Sequence, residues 1–320
     1  MSSVYRVCSN RRLNSLHSDL LLIRTSSLYN GTVVVYDPYK AKVVDTIILP
    51  DISFNPVLHV GGVDYDHRTG LFYIVADAGA PFNTNGKDIT GPNYVMKFDP
   101  ITKDILWTVD LTIVTQERYS GFQDLEEDAQ GNVFVVGTWP ASILRISGRD
   151  RGIRPWYVPE PLNQTRKGLS GIAAKDDNLL AYDINGGNGG KLLRFNMTAE
   201  RGVPVEVPLT PPTFLGLGDA VYLPPKYDGK VLLISIDAEG TVVIVSSDGK
   251  WEKAEYKGLI PRGTTGDAAG SAITASVQIG QSIYTVLEWF DAPIPGSLAG
   301  NRTVFPWKDI TAEVEALVKK

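Results

Sequence analysis

The chain has very little cysteine and histidine. Cys8 is the only cysteine among 320 residues, so no disulfide can form within the chain, and the only histidines are His17, His59 and His67. Three histidines are too few for a histidine-rich metal site. No apolar run approaches the ~20 residues that span a bilayer. The chain also has no long stretch of one charge sign, because its 31 basic and 36 acidic residues are interspersed. We therefore expect neither a membrane span nor a nucleic-acid partner.

Catalytic motifs with a fixed spacing are absent as well. The sequence contains no G-x-S-x-G, no H-E-x-x-H, no Walker phosphate loop and no Cys/His metal set. GGNGG at 186–190 joins two strand-like stretches, and no helix follows whose N-terminus could bind phosphate. Chemistry that needs neither a nucleophile nor a bound cofactor is compatible with these absences, and we expect no cofactor and no metal.

Repeats of four short strands dominate what is present. Residues 59–111 read HVGGVDYD, GLFYIVAD, NYVMKFDP and KDILWTVDL, which are alternating apolar stretches separated by turn signals. Similar units open at Gly121, Gly168, Leu215 and Ser271. The pattern predicts an all-β fold: a single β-propeller over 1–320, with five or six four-stranded blades around a central channel.

Strands from both ends of the chain are predicted to close the ring. The last repeat lacks two strands, and GTVVVYDP and KVVDTIILP at 31–50 are expected to supply them. LLIRT at 21–25 and TVFPW at 303–307 are left over, as candidate remnants of a sixth blade.

The extreme termini are predicted to lie outside the blades. Residues 1–20 are expected to form an N-terminal arm, and 308–320 a short C-terminal helix that Asp309 can cap. One apolar stripe of that helix is expected to pack on the outside of the propeller: Ile310, Val314, Leu317 and Val318.

Acidic side chains at blade openings and at the ends of second strands are the candidates for the channel mouth. They are Asp64, Asp77, Asp124, Glu126, Asp183, Asp219 and Glu288. Most Asp residues in turns cap backbone N–H groups, so we expect roughly two or three of this set to line a ligand cavity. We predict Asp124, Asp183 and Asp219 as catalytic residues.

Aromatic side chains are interleaved with these acids. The predicted substrate-binding residues are His59, Phe82, Tyr94, Trp139, Glu288, Trp289 and Phe290. Phe82 lies in a Gly/Asn/Pro-rich insert at 79–93, and such long loops often form the walls of binding sites. Packing between blades is the alternative for an aromatic residue on a strand, and that alternative stays open.

Four Asn-x-Thr sequons predict glycosylation at Asn30, Asn163, Asn196 and Asn301, beside turn-like sequence. They favour the secretory pathway, whereas the single cysteine favours a reducing cytoplasm, and both locations stay open. In an oxidising compartment, an odd cysteine either pairs between chains or stays a free thiol. A homodimer through Cys8 is therefore expected if the protein is secreted.

Residues 30–84 resemble a family of fungal secondary-metabolism propellers. The resemblance lies in VYDPYKAKVVDTI, the NPVLHVGGV junction and the D-x-R-T-G turn that follows. The family includes the trichothecene-cluster protein fourteen and the hetero-Diels–Alderases of tropolonic sesquiterpenoid pathways. The resemblance implies a cofactor-independent pericyclase, with a small apolar terpenoid or polyketide as substrate. A hetero-Diels–Alder addition of a tropolone quinone methide to a humulene-type alcohol is the reaction expected.

Two other functions are compatible with the sequence. Metal-dependent lactonases of the gluconolactonase type are also propellers, and Asp219 could match one of their ligands. The opening Glu of that family is absent here, as is its Asn, and hard cations prefer several oxygen ligands. A propeller that binds a small molecule without catalysis is the other alternative.

Overall fold

The computed structural model of the protein describes residues 4–9, 22–185, 189–263, 266–290, 302 and 304–320, with the side chains of 4–9 and 267 excepted. These residues form six sheets built almost entirely from antiparallel pairs, which confirms the predicted propeller with the higher of the two expected blade numbers. The innermost strand of each sheet contacts the innermost strands of the two neighbouring sheets, so the blades form a closed ring around a channel.

The blades, numbered I to VI along the chain, contain the following strands. Blades I to III are β1 (Val4–Ser9), β2 (Ile23–Ser27), β3 (Thr32–Asp37) and β4 (Lys42–Ile48); β5 (Leu58–Asp66), β6 (Leu71–Ala78), β7 (Tyr94–Phe98) and β8 (Ile105–Asp110); and β9 (Ser120–Glu127), β10 (Val133–Trp139), β11 (Ser142–Ile146) and β12 (Ile153–Tyr157). Blades IV to VI are β13 (Leu169–Lys175), β14 (Asn178–Asp183), β15 (Lys191–Asn196) and β16 (Val205–Glu206); β17 (Leu209–Thr210), β18 (Gly218–Tyr222), β19 (Val231–Ile236), β20 (Gly240–Val245) and β21 (Ala254–Pro261); and β22 (Ala272–Ile279), β23 (Ser282–Glu288) and β24 (Lys308–Asp309).

The hydrophobic core lies between neighbouring blades rather than inside any one of them. One cluster, for example, joins Tyr73 and Val75 of blade II to Phe122, Leu125 and Val135 of blade III. A sheet stacked on both faces buries both sets of alternating side chains, which is why inner strands such as β10 are buried at every position. The outermost strands, such as β4, are exposed at most positions.

Ring closure differs from the predicted arrangement. Residues 31–50 do not complete the last blade. Their strands β3 and β4 belong to a separate N-terminal sheet, in which β3 pairs with β2 and β4 pairs with β3. Strands consecutive in the chain pair with each other, and β1 supplies the innermost strand that the sequence pattern did not reveal. The ring closes because β1 of blade I packs on β22 of blade VI.

The predicted N-terminal arm is wrong for residues 4–9, because they form β1. Cys8 lies within this strand, opposite Arg24 of β2, and not ahead of the first strand in a flexible segment. Dimerisation through Cys8 stays a prediction. Asn301 and His17, together with residues 186–188 of the GGNGG segment, lie outside the described residues.

Among the described residues, three short α-helices accompany the strands: α1 (Ala80–Asn83), α2 (Thr112–Thr115) and α3 (Thr311–Val318). The C-terminal helix α3 packs against β20, β21 and β23 of the last two blades. Its stripe of apolar side chains joins a cluster with Leu233, Val243 and Ile260, as predicted. Asp309 Oδ1 accepts hydrogen bonds from the Thr311 N–H (2.9 Å) and from the Thr311 hydroxyl (2.5 Å) at the start of the helix. In the described part of the chain, no helix has the length and apolar character needed to cross a membrane.

Candidate functional site

Two cavities lie at the two mouths of the channel. The first mouth is the end at which the innermost strands begin and the second strands end, and the second mouth is the opposite end. Loops at the first mouth are long, such as 79–93 and 158–168, whereas those at the second mouth include the two-residue turns 176–177 and 280–281. Long loops on a rigid scaffold are where binding sites are usually built.

The first-mouth cavity has a volume of about 380 Å³, near the lower end of the range for small-molecule sites. All six blades, or the loops that leave them, contribute to its wall. The lining residues are Leu28, Tyr29, His59, Gly61, Asp77, Phe82, Asn83, Gln123, Thr138, Trp139, Lys167, Ser170, Ile184, Gly218, Asp219, Asp237 and Phe290.

Aromatic side chains form one wall of the cavity. The 79–93 insert begins with a short helix, α1 (Ala80–Asn83), and places Phe82 edge-on against Trp139 with their ring centroids 4.9 Å apart. The indole packs against Gly86 and Gly121, where any side chain would collide with it. Both glycines have positive φ values, of 77° and 73°, so a substitution there would be strained in its backbone as well. The wall is therefore held rigidly from both sides.

Gln123 of blade III lines the cavity and bonds blade IV. Its side-chain N–H groups donate to Thr138 Oγ1 (3.0 Å) and to the carbonyl oxygen of Ser170 (2.9 Å) in the next blade. The Thr138 hydroxyl in turn donates to the carbonyl oxygen of Leu169 at 2.8 Å. This network is buried, so it fixes the relative position of blades III and IV at the cavity floor.

Asp77 and His59 face each other across β6 and β5. Burial raises the pKa of Asp77 well above its usual range, and burial lowers the pKa of His59 to about 4. The imidazole is therefore neutral near pH 7, and burial favours the protonated form of the Asp77 carboxyl. His59 packs edge-on against the Tyr29 ring, with their centroids 5.2 Å apart.

The opposite side of the ring carries a second pair of acids, Asp219 and Asp237 of blade V. Burial raises the pKa of Asp237 to about 6, and the positive charge of Lys167 opposes that shift. The Lys167 ammonium also lies 5.5 Å from the centroid of the Trp139 ring, within the range of a cation–π contact. The cavity thus has Asp219 and Asp237 in the blade across the ring from Asp77, and a cation beside Trp139.

Four lining side chains have a buried polar atom with no hydrogen-bond partner within the described residues. These atoms are Asp77 Oδ2, Trp139 Nε1, Ser170 Oγ and Asp237 Oδ1. Buried polar groups in folded proteins are nearly always paired, and leaving one unpaired costs about 1–3 kcal/mol. Four such atoms therefore belong to side chains that line one cavity.

Of the ten residues predicted as catalytic or substrate-binding, the cavity brings together His59, Phe82, Trp139, Asp219 and Phe290. Its lining does not include the other five: Tyr94, Asp124, Asp183, Glu288 and Trp289. Tyr94 is half-buried at the start of β7, beside the cluster between blades I and II. Glu288 is fully buried at the end of β23.

Asp124 and Asp183, two of the predicted catalytic residues, hold backbone and charge partners instead. Asp124 Oδ2 accepts the N–H of Ile172 (3.1 Å) from the next blade, and its Oδ1 accepts the N–H of Leu125 (2.9 Å). Asp183 forms an ion pair with Arg166 at 3.2 Å. Asp124 therefore links two innermost strands, so its role here is to bond the backbone rather than to line the cavity.

Trp289 belongs to a core cluster with Ile273 and Leu287, and its side chain is 2% exposed. Its indole N–H donates to the carbonyl oxygen of Ala269 at 2.8 Å, and Phe305 packs edge-on against its ring. The neighbouring Phe290 is 47% exposed and lines the cavity. Adjacent aromatic residues point in opposite directions here, so only one of the two reaches the site.

Sequence reasoning missed several lining residues, including the polar side chains of Lys167, Asp237 and Gln123. Asp237 follows the second strand of its blade, the same place as Asp77, so the rule used to choose the acidic candidates applies to it too. Lys167 lies in a loop between blades and reads as an ordinary surface cation. Asp77 belonged to the acidic candidates, though not to the predicted catalytic set.

The second-mouth cavity, of about 570 Å³, is acidic. Asp64 and Glu126, both acidic candidates, line it together with Glu127, whose pKa is raised to about 10 by burial and by the surrounding carboxylates. In the part of the chain that the structure describes, no three His, Cys, Asp or Glu side chains are grouped so that they could hold a metal ion.

Two curated proteins are similar to the chain over most of its length. Trichothecene biosynthesis protein 14 of Trichoderma arundinaceum is 34% identical over 310 residues, covering 92% of this chain and 83% of the relative. Core trichothecene cluster (CTC) protein 14 of Fusarium sporotrichioides is 31% identical over 315 residues, covering 92% of this chain and 80% of the relative. No protein-family model matches the chain.

Solved structures share the fold. The Malassezia sympodialis allergen Mala s 1 superimposes with a TM-score of 0.76 at 20% identity, over 90% of this chain and 89% of the allergen. U3-55K reaches a TM-score of 0.52 at 8% identity, over 87% and 72% of the two chains. At these identities, the likeness concerns the architecture alone.

Proposed function

Since the chain belongs to the trichothecene biosynthesis protein 14 family, and is thus a secondary-metabolism propeller protein, we propose that it is a cofactor-independent pericyclase acting at the first mouth. Its substrate is a small apolar terpenoid or polyketide. The reaction is a hetero-Diels–Alder addition of a tropolone quinone methide to a humulene-type alkene. The observation that carries the proposal is the rigid aromatic wall of a cavity that also holds unpartnered polar groups.

The proposed reaction requires that its two partners be correctly oriented, and it requires no nucleophile. In the cycloaddition, the conjugated C=C–C=O unit adds across an alkene, so one C–C and one C–O bond form from π electrons and nothing is released. Holding two partners in a reactive pose can lower a barrier by about 7–11 kcal/mol. Phe82 and Trp139 offer a fixed surface on which the flat partner can lie.

Polar groups around the wall can assist by polarising the conjugated oxygen. A hydrogen bond or a cation at that oxygen withdraws electron density from the diene, which lowers the barrier to addition of an electron-rich alkene. Lys167 and Asp77, whose pKa burial raises well above its usual range, are the groups we assign to this role. Tropolone precursors that must first lose water would also benefit from an acid in this position.

The test is a direct assay of the purified protein. A quinone-methide precursor and a humulene-type alcohol are incubated with and without the protein, and the adducts are resolved by chiral chromatography. We expect faster formation of a single stereoisomer. Adducts formed at the uncatalysed rate, with the uncatalysed isomer ratio, would overturn the proposal in favour of a non-catalytic binding protein.

Phe82→Ala and Phe54→Ala make a matched pair of variants for this assay. Phe82 is part of the wall, whereas Phe54 is 52% exposed and does not line the cavity. We expect F82A to slow the reaction at least tenfold and to erode its stereoselectivity, because the ring no longer fixes the orientation of the substrate. F54A should behave as the unmodified protein does.

A further inference from the structure

Asp77 is the most unusual side chain of the first-mouth cavity. It occupies the next-to-last position of β6, is 2% exposed, and lines the cavity. Its Oδ2 atom has no hydrogen-bond partner in the described part of the protein. An acid that only capped a turn would have its oxygens satisfied within that turn, as those of Asp66 are at the second mouth, where Oδ1 accepts the N–H groups of Arg68 and Thr69 and Oδ2 accepts their side chains.

The surroundings of Asp77 favour its protonated form. His59 lies opposite on β5, its lowered pKa leaves the imidazole neutral near pH 7, and the ring of Tyr29 packs against it. Besides Tyr29, the other titratable groups of the cavity are Lys167, Asp219 and Asp237. Burial raises the pKa of Asp77, and none of these groups is among the causes of that shift. A protonated carboxyl at this position can donate a hydrogen bond.

Blade order places this acid beside the aromatic wall. Phe82 follows Asp77 by a few residues, at the first turn of the insert that leaves β6, and it packs on Trp139 of the neighbouring blade. Asp219 and Asp237 belong to blade V, which lies across the six-blade ring from blade II. A flat ligand lying on the aromatic wall therefore has Asp77 as a nearby donor.

We propose that this cavity takes conjugated cyclic carbonyl compounds, and that the Asp77 carboxyl donates the hydrogen bond that binds their oxygen. The inference deepens the proposed function and rests on it for the substrate class. It makes Asp77, rather than the predicted Asp124 or Asp183, the acid that touches the substrate.

Tropone is the probe for this proposal, because it is a conjugated cyclic ketone with no ionisable group. Cycloheptatriene, a ring of the same size without the oxygen, is the ligand control. Calorimetric titration of the full-length protein measures both affinities at several pH values. Isotope-edited infrared spectra of bound tropone report whether its carbonyl receives a hydrogen bond.

We expect tropone to bind at least tenfold more tightly than cycloheptatriene, with a carbonyl stretch shifted to lower frequency on binding. Affinity should fall as pH rises through the pKa of Asp77, because the carboxylate cannot donate. Asp77→Ala should lose at least tenfold in affinity and the infrared shift. Asp77→Asn keeps a donor, so its affinity should stay within about threefold of the unmodified protein and become independent of pH.

Asp64→Asn is the matched control, since it makes the same change in the same blade at the second mouth, and it should leave tropone binding unchanged. Unaltered affinity in D77A, or an affinity in D77N as weak as in D77A, would overturn the inference. Cycloaddition that continues in D77A with unchanged tropone binding would remove this inference and leave the pericyclase proposal standing. Asp77-dependent tropone binding without any cycloaddition would remove the pericyclase proposal and leave this inference standing.

Discussion

Trp289→Ala tests whether Trp289 belongs to the hydrophobic core or to the ligand site. The indole is almost fully buried, packs on Phe305, and lies 3.9 Å from the Arg302 guanidinium, which is centred over its ring. Truncation of a buried Trp to Ala costs about 3–5 kcal/mol through the lost burial and the cavity left behind. It also leaves the carbonyl of Ala269 without the indole donor. We therefore expect a large loss of stability and little direct effect on ligand binding.

The size of the effect on melting temperature follows from the length of the chain. Unfolding entropy near 60 °C is about 2.1 cal/mol/K per residue, or about 0.67 kcal/mol/K for 320 residues. A loss of 3–5 kcal/mol thus lowers the melting temperature by about 4–8 °C. Differential scanning calorimetry measures this shift, and a tropone titration well below the transition measures binding.

Phe290→Ala is the control for this experiment, because Phe290 is the next residue, is half exposed and lines the cavity. Substitutions at exposed positions usually change stability by less than about 0.5 kcal/mol, which corresponds to less than about 1 °C here. F290A should therefore weaken binding without lowering the melting temperature. The reverse pattern, with W289A melting normally and failing to bind, would refute the packing argument.

Three further predictions concern the second mouth, the blade contacts and the cofactor. Glu127 has a pKa raised to about 10 in the folded protein against about 4.5 in the unfolded chain, so its contribution to stability is fully present below pH 4.5 and is lost as pH rises toward 10. Glu127→Gln should flatten the decline of melting temperature between pH 5 and 9, and an unchanged slope would contradict this assignment. Asp124→Ala leaves the N–H of Ile172 unpaired and should cost about 1–3 kcal/mol in urea unfolding, with tropone affinity unchanged. Dialysis against a strong chelator should leave turnover intact, and activity that is lost and then restored by Ca²⁺ would favour the lactonase alternative.

The fold was predictable from sequence because each blade repeats a local pattern. Alternating apolar residues and turn signals located the strands of blades II to V, and the units opening at 59 and 121 correspond closely to β5–β8 and β9–β12. The assignment of 31–50 failed for a physical reason. Whether two strands complete one sheet or begin another depends on the remote strand β1, and VYRVCS carries only a weak strand pattern.

The site was predictable only in its location. Blade openings and the ends of second strands do meet at the first mouth, which brings His59, Asp77 and Asp219 to one cavity. Sequence could not distinguish Asp77 from Asp124, because the difference lies in what surrounds them: the first has an unpartnered oxygen, and the second bonds a neighbouring strand. Trp289 and Phe290, which follow β23, show the same limit, since the first packs in a core cluster and the second lines the cavity.

The first mouth differs from the second in combining unpartnered acids with a packed aromatic wall. At the second mouth, Asp66 accepts the N–H groups of Arg68 and Thr69 and pairs with the Arg68 guanidinium at 3.0 Å, so it stabilises a turn. Asp128 likewise accepts the N–H groups of two residues in its own turn. Among the described residues, however, Glu127 Oε2 at the second mouth has no hydrogen-bond partner, just as Asp77 Oδ2 and Asp237 Oδ1 have none at the first. Because unpartnered buried oxygens occur at both mouths, it is their combination with the packed rings of Phe82 and Trp139 that makes us propose the first mouth as the binding end.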